Sequence, residues 1–235
     1  MVSPPAGFTP RTVPHVTGRR GLSQADYVDA AVACVNEHGA AGFTARALGE
    51  QLGVDPTAVY RHFPSLNDLA SAVLDRVFGE IIAEPLTGRS ARARLTSRLT
   101  SMHRAFLAQP NLLGLFLTST GVSPNANRMT AQGLEMLAEL GLEGENLVVC
   151  YQMLESLIIG SHLYDLAGSP HHLSGRRARL RGVDHPVLDR SYPNDKAVEQ
   201  INNKAAEAAL EALLDYCEAL AAKSAGKRKK NPTKS

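Results

Sequence analysis

Cysteine is scarce in this chain, which has three among its 235 residues. Cys34, Cys150 and Cys217 lie far apart, with no CxxC pair and no histidine at the spacing of a zinc site. This pattern excludes a disulfide-rich scaffold and favours buried thiols in a reducing cytosol. We therefore expect neither a metal site nor redox chemistry.

Excess charge and long apolar runs are also missing. The formal net charge is +2, which is too small to indicate a nucleic-acid partner by itself. The longest apolar stretch, residues 147–160, is interrupted by Gln152, Glu155 and Ser156 and is shorter than the ~20 residues that span a membrane. The proline-rich N-terminus contains no apolar segment, so we expect neither a secretory signal nor a membrane anchor.

Helical periodicity is what the chain does contain. Hydrophobic residues make up 44% of the sequence and recur at helical spacing, with no alternating strand pattern. The sequence predicts an all-α protein with a boundary near Pro85. The predicted ranges are a flexible arm (1–21), a first helical domain (22–85), a larger second one (86–223) and a lysine-rich tail (224–235).

Residues 44–63 predict two short helices joined by a tight turn. Gly53 can take the backbone angles of that turn without steric cost. Asp55 can cap the second helix, and Pro56 suits its first position because no hydrogen bond is lost there. We predict this helix over 56–63. With the helix that Ser23 and Asp26 start and Gly39 ends, it completes a three-helix module whose last helix carries hydroxyl, guanidinium and imidazole groups.

This segment resembles the DNA-binding domain of TetR-family transcriptional regulators. The resemblance covers residues 22–70 and is carried by Thr44-x-Arg46, Leu48, Leu52-Gly53-Val54 and Val59-Tyr60-x-His62-Phe63-Pro64-Ser65. It implies phosphate contacts from Thr44 and Arg46. It also implies that a larger set faces the major groove or its flanking backbone: Pro56, Thr57, Ala58, Tyr60, Arg61 and His62. Leu66 stands where many members carry Lys, so that phosphate contact is not expected.

Side-chain chemistry divides these residues by role. Arg61 suits bidentate readout of a guanine edge, whereas Tyr60 and His62 suit phosphate oxygens, which fix register without reading sequence. Two alternatives stay open: Tyr60 packs on the core of its own module, and Arg61 is a solvated surface charge.

The second domain offers a candidate ligand site on inward-facing helical stripes. Its predicted residues are Met102, Phe106, Phe116, Tyr151, Glu155 and His162. The alternative is that the aromatic and Met residues are ordinary core, and that Glu155 and His162 make a polar dimer contact. On the predicted helix 91–108, four arginines should point outward: Arg92, Arg94, Arg98 and Arg104.

The last helix, predicted over 195–223, carries an apolar seam with alternating spacings of four and three. Its predicted dimer contacts are Leu210, Leu213, Cys217 and Leu220. The preceding segment, 168–194, contains His171, His172 and four arginines: Arg176, Arg177, Arg179 and Arg181. We interpret it as a mobile, solvated cover; a second DNA contact is the alternative. The two histidines lack the further ligands that a metal needs.

The resemblance implies a sequence-specific, DNA-binding transcriptional regulator. The expected protein is a homodimeric repressor in the bacterial cytoplasm, nucleoid-associated when bound, that binds a palindromic double-stranded operator. It needs no cofactor, and an unidentified small-molecule effector releases it. The alternatives are a ligand-responsive activator and a helical-bundle enzyme, although no HExxH, phosphate-binding glycine loop or paired ExxH motif is present.

Overall fold

A computed structural model describes residues 21–121, 123–164, 173–180, 183, 185–191 and 194–230. The described residues form α-helices and one 3₁₀ helix, and contain no strand, which confirms the all-α prediction. None of these helices is long and apolar enough to cross a membrane. The α-helices are α1 Gln24–Gly42, α2 Ala45–Leu52, α3 Leu66–Ala83, α4 Ala91–Ala108, α5 Asn111–Thr118, α6 Pro124–Glu139, α7 Gly144–His162, α8 Leu173–Leu180, α9 Pro186–Ser191 and α10 Asp195–Lys230.

Packing divides the chain into two compact units. The N-terminal unit comprises the described residues up to Glu84 together with Arg104–Asn127, and the C-terminal unit comprises Pro85–His103 and the described residues from Arg128 onward. The end of α4, α5 and the start of α6 are therefore grouped with the N-terminal unit. The functional domain ranges 22–85 and 86–223 stay predictions.

In the N-terminal unit, capping side chains set the helix boundaries. Ser23 and Asp26 form a reciprocal capping box at the start of α1, and the backbone leaves helical angles at Gly39. The Thr44 hydroxyl oxygen accepts the Ala47 N–H at 3.2 Å and starts α2. Gly53 ends α2 with a left-handed φ of 67°. These local signals are why the boundaries of this module follow from sequence.

The segment after the turn is a 3₁₀ helix, Pro56–Arg61, rather than the longer helix expected over 56–63. We call it the recognition helix. Its tighter i→i+3 bonding suits a short element whose end is fixed by packing, because Phe63 is buried.

Polar side chains on α3 hold the segment that leads into α6. The Asp75 carboxylate accepts the Ser123 hydroxyl at 3.0 Å and the Asn125 N–H at 2.7 Å. Near the start of α3, Asn67 Oδ1 accepts the Thr120 N–H at 3.0 Å. The loop before α6 and the start of α6 are therefore held against α3 within the N-terminal unit.

In the C-terminal unit, α7 packs against α10. Cys150 of α7 and Cys217 of α10 are both fully buried, and burial beside Cys150 raises the pKa of Cys217 to about 12. The Cys217 thiol therefore stays protonated at neutral pH. The described residues contain no His, Cys, Asp or Glu cluster that could hold a metal.

One of the four arginines expected to point outward does not. Arg98 is 4% exposed, and its Nη2 donates to Gln132 Oε1 of α6 at 3.4 Å. A long amphipathic side chain can lie inside when its guanidinium has polar partners, which periodicity alone does not reveal. Arg92 stays at the surface, where its guanidinium pairs with three carboxylates of α10: Glu211, Asp215 and Glu218.

Gly49 allows the closest backbone approach in the three-helix module. A Cβ at Gly49 would lie 2.9 Å from the Val54 carbonyl oxygen and 3.0 Å from the Pro56 backbone. Because these neighbours are backbone atoms, a larger residue cannot be accommodated by a side-chain movement. The start of the recognition helix is therefore positioned directly against α2.

We expect Gly49→Ala to lower the free energy of unfolding by about 1–3 kcal/mol, because the added methyl overlaps the Val54–Pro56 backbone. Urea denaturation monitored by circular dichroism measures this change. Gly160→Ala is the control, since no atom lies within 4 Å of its Cβ position and Ala is the better helix former. Equal stability of Gly49→Ala and the unsubstituted protein would contradict the steric argument.

Candidate functional site

The recognition helix buries its apolar side chains and leaves its polar ones outside. Val59 and Phe63 are buried in the module, whereas Tyr60 is 49% exposed. Exposed positions also include Pro56, Thr57 and Arg61, and Ala58 is partly exposed. The exposure of Tyr60 disfavours the alternative that this ring only packs on its own core. DNA contacts by these residues remain predictions.

His62 is oriented differently from its neighbours. Its ring lies 4.9 Å, centroid to centroid, from the buried ring of Tyr27, and its backbone carbonyl accepts the Gln24 side-chain amide at 2.9 Å. Gln24 and Tyr27 of α1 thus hold the end of the recognition helix. The sequence analysis did not identify these contacts of α1 with His62. Gln24 and His62, for example, lie 38 positions apart, so their contact leaves no local signal in the sequence.

Thr44 and Arg46 lie at the start of α2. Since the Thr44 oxygen accepts the capping N–H, its hydroxyl proton can be donated outward. Arg46 pairs with Glu50 one turn later at 2.9 Å, and both side chains are mostly exposed. A phosphate that binds Arg46 must therefore compete with the Glu50 carboxylate.

We expect Arg46→Ala to weaken binding to specific and random duplexes by a similar factor, and to reduce the slope of log K against log salt by about one. Glu50→Gln removes the competing carboxylate, so it should tighten binding to both. Fluorescence anisotropy titrations over a salt series measure both effects. A change in base preference with Arg46→Ala would assign this residue to base readout instead.

The predicted ligand residues are distributed over both units. Phe106 and Phe116 belong to the N-terminal unit, where Phe116 packs edge-on against Phe78 with ring centroids 5.9 Å apart. Met102, Tyr151, Glu155 and His162 belong to the C-terminal unit. There the Tyr151 hydroxyl bonds Thr130 at 2.8 Å, and Glu155 accepts the Gln152 amide at 3.0 Å.

His162 is 2% exposed and forms a hydrogen-bonded pair with His103. His162 Nδ1 lies 2.7 Å from the Ile158 carbonyl oxygen and therefore donates to it. In the neutral ring, Nε2 is then the acceptor for His103 Nδ1–H, at 2.8 Å. His103 Nε2 is left as an acceptor, so a molecule that meets it must bring a donor.

Protonation disturbs this pair. Burial, and then the proximity of His162, lower the pKa of His103, while Glu207 opposes the shift. The folded state therefore binds a proton at His103 less readily than the unfolded state. The stability that neutral His103 contributes is complete above the ordinary histidine pKa. It is lost as the pH falls through the lower pKa that His103 has in the folded state.

We accordingly expect the melting temperature to fall between pH 7 and pH 5, and the His103→Gln variant to show a smaller decrease, by roughly 2–4 °C. Differential scanning fluorimetry in buffers of constant ionic strength measures the difference. Parallel pH profiles of the two proteins would show that His103 titrates identically in the folded and unfolded chain.

An apolar groove of ≈ 680 Å³ runs along α7 and α10. Its lining includes Val149, Gln152, Met153, Ser156 and Leu157 of α7, and Ala209, Ala212, Leu213 and Tyr216 of α10. The predicted dimer seam needs one correction: Cys217 has no exposed surface and cannot contact a second chain. The exposed stripe is shifted toward Ala212 and Tyr216. Leu210, Leu213 and Leu220 stay predicted contacts.

The segment between α7 and α10 is described in part. The Arg176 guanidinium lies 4.9 Å above the Tyr164 ring and can form a cation–π contact there. His171, His172 and Arg181 lie outside the described residues, as does the side chain of Arg177.

Comparison with known proteins identifies a family model for each of the two parts of the chain. Residues 28–73 match the model of bacterial regulatory proteins of the tetR family, and residues 84–219 match the tetracyclin repressor-like C-terminal domain. An HTH-type transcriptional regulator of Saccharopolyspora erythraea is 26% identical over 180 residues, covering 74% of this chain and 76% of that protein.

Solved structures of the same fold include the Streptomyces coelicolor TetR family protein ActR in complex with actinorhodin, with 19% identity, TM-score 0.66 and coverage of 85% of this chain and 96% of that one. BioQ with its double-stranded DNA operator has 17% identity and TM-score 0.60, and covers 85% and 99%. The family models together span most of the described sequence, and they account for both the helix-turn-helix module and the helical remainder. The chain therefore belongs to the TetR family of bacterial regulatory proteins and is a DNA-binding transcriptional regulator, not an enzyme.

Proposed function

We propose that this protein is a homodimeric repressor that binds a palindromic operator and is released by a small-molecule effector. The observation that carries the proposal is the exposed polar face of the recognition helix on a well-packed module. Val59 and Phe63 fix the helix from inside, so Tyr60 and Arg61 are presented to the outside without local rearrangement. The protein acts in the bacterial cytoplasm, on the nucleoid when bound.

On the operator, the side chains divide into positioning and reading groups. Thr44, Arg46 and Tyr60 bind phosphate oxygens and fix the register of the helix. Arg61 reads a guanine edge with two hydrogen bonds. His62, held against Tyr27, supports the helix and reaches a phosphate only with its outer ring edge. The start of the recognition helix faces the major groove with Pro56, Thr57 and Ala58.

Dimerisation through α7 and α10 is supported by the apolar groove. Val149, Met153 and Tyr216 are each at least 39% exposed in the single chain, and burying them against a second copy removes this apolar surface from water. In a dimer with a two-fold axis, the groove of one copy contacts the same groove of the other copy. The recognition helices meet successive major grooves if their separation is about 34–36 Å.

The effector binds the C-terminal unit near Met102, Tyr151, Glu155 and the His103–His162 pair. The structural neighbour ActR was solved in complex with actinorhodin, and this complex supports a small-molecule effector. Release requires tighter binding to the DNA-incompetent state, by about 10⁴-fold for a change from 1:99 to 99:1. Repression is the expected output, because a dimer on a promoter blocks polymerase.

Operator binding is tested with the DNA upstream of the protein's own gene. We expect a protected palindrome in footprinting, with affinity at least about 10³-fold above that for a random duplex at equal salt. Arg61→Ala should cost about 1–3 kcal/mol of binding and relax the preference at one base pair. Arg190→Ala, an exposed arginine of α9, is the control. Equal affinity for operator and random duplex would refute a specific regulator.

For the dimer, we expect Ala212→Lys to shift the protein to monomer and to abolish cooperative binding to the palindrome, because it places a charge in the groove. Light scattering with sedimentation velocity measures the mass. Ala222→Lys is the matched control, since Ala222 is exposed on the same helix but does not line the groove. A dimer that survives Ala212→Lys at micromolar concentration would move the interface elsewhere.

A further inference from the structure

The start of the recognition helix has an unusual hydrogen-bond arrangement. Asp55 Oδ1 accepts the Thr57 backbone N–H at 2.8 Å and the Thr57 hydroxyl at 2.5 Å. The hydroxyl bond, and then the backbone bond, hold the pKa of the Asp55 carboxyl below its ordinary value. The carboxylate is therefore ionised at neutral pH and acts only as an acceptor.

A hydroxyl group has one proton, and here Thr57 donates it to Asp55. What the exposed Thr57 side chain can offer to a partner is the lone pairs of Oγ1 and its methyl group. Phosphate oxygens, guanine O6 and purine N7 are all acceptors, so none of them can bond Oγ1 while the Asp55 contact lasts. The negative charge of Asp55 also repels a phosphate at this end of the helix.

The donors in the major groove are the exocyclic amino groups: N6 of adenine and N4 of cytosine. These groups match an acceptor at Thr57. Arg61 has the opposite character, since a guanidinium only donates. At a rise of ≈ 2.0 Å per residue in a 3₁₀ helix, the two residues are about 8 Å apart along the helix.

We propose that the Asp55–Thr57 contact makes Thr57 a reader of an exocyclic amino group, so that each half-site has adenine or cytosine at the position that Thr57 faces. This inference rests on the proposed operator binding and specifies the base edges that the recognition helix accepts. Asp55 is a positioning residue here, because it acts through the direction of the Thr57 hydroxyl.

The test is selection from a duplex library with randomised half-sites, followed by sequencing, for the full-length protein and five variants. The unsubstituted protein should enrich adenine or cytosine over guanine about 3- to 10-fold at one position. Thr57→Val keeps the shape and the methyl but removes the acceptor, so the preference should disappear. Thr57→Ser and Asp55→Asn keep an acceptor at Thr57 and should retain it.

Asp55→Ala releases the hydroxyl proton, so guanine or thymine should gain at the same position. Because this variant also removes a helix cap, thermal melting is measured alongside, and Asp55→Asn, which keeps the cap and the acceptor for the Thr57 hydroxyl, should keep the original preference. Guanine enrichment by the unsubstituted protein, or an unchanged profile in Thr57→Val, overturns the inference. If Arg61→Ala alters the selected palindrome while Thr57→Val does not, only this inference fails. If the selection enriches no sequence at all, it refutes both this inference and the proposed operator binding.

Discussion

The contact between Gly49 and the backbone of Val54 and Pro56 sets the position of the recognition helix. At 2.9–3.0 Å from the position of a Cβ, these neighbours leave room for hydrogen alone. The turn at Gly53 brings the chain back, but the depth at which the second helix sits depends on the missing side chain of Gly49. Tyr27 and Gln24 then hold the other end through His62. The recognition helix is therefore held by packing at both ends.

Local chemistry explains why much of the fold could be predicted from the sequence. The bounds of α4 agree with the predicted 91–108, because Ser90 caps its start and Pro110 follows its end. The predicted end of α10 was wrong, since the helix continues to Lys230. The extension, residues 224–230, contains no proline, and its alanine, lysines and arginine favour helix although Gly226 does not.

Long-range packing explains the remaining errors. Arg98 lies inside because Gln132 of α6 meets it, and Cys217 is covered because α7 places Cys150 beside it. The pairing of His62 with Tyr27, and of His103 with His162, also joins separate helices. Periodicity identifies the buried stripe of a helix, but it does not identify the neighbour that covers it or the polar partner within reach.

Two carboxylates lie beside groups that we propose to contact DNA: Glu50 pairs with Arg46, and Asp55 accepts the Thr57 hydroxyl. They reduce the general attraction to phosphate that a more basic surface would have. A genome presents about 10⁶–10⁹ competing non-specific sites, and a protein with weak general attraction spends less of its time on them. A regulator with this surface therefore leaves fewer of its copies on non-specific DNA.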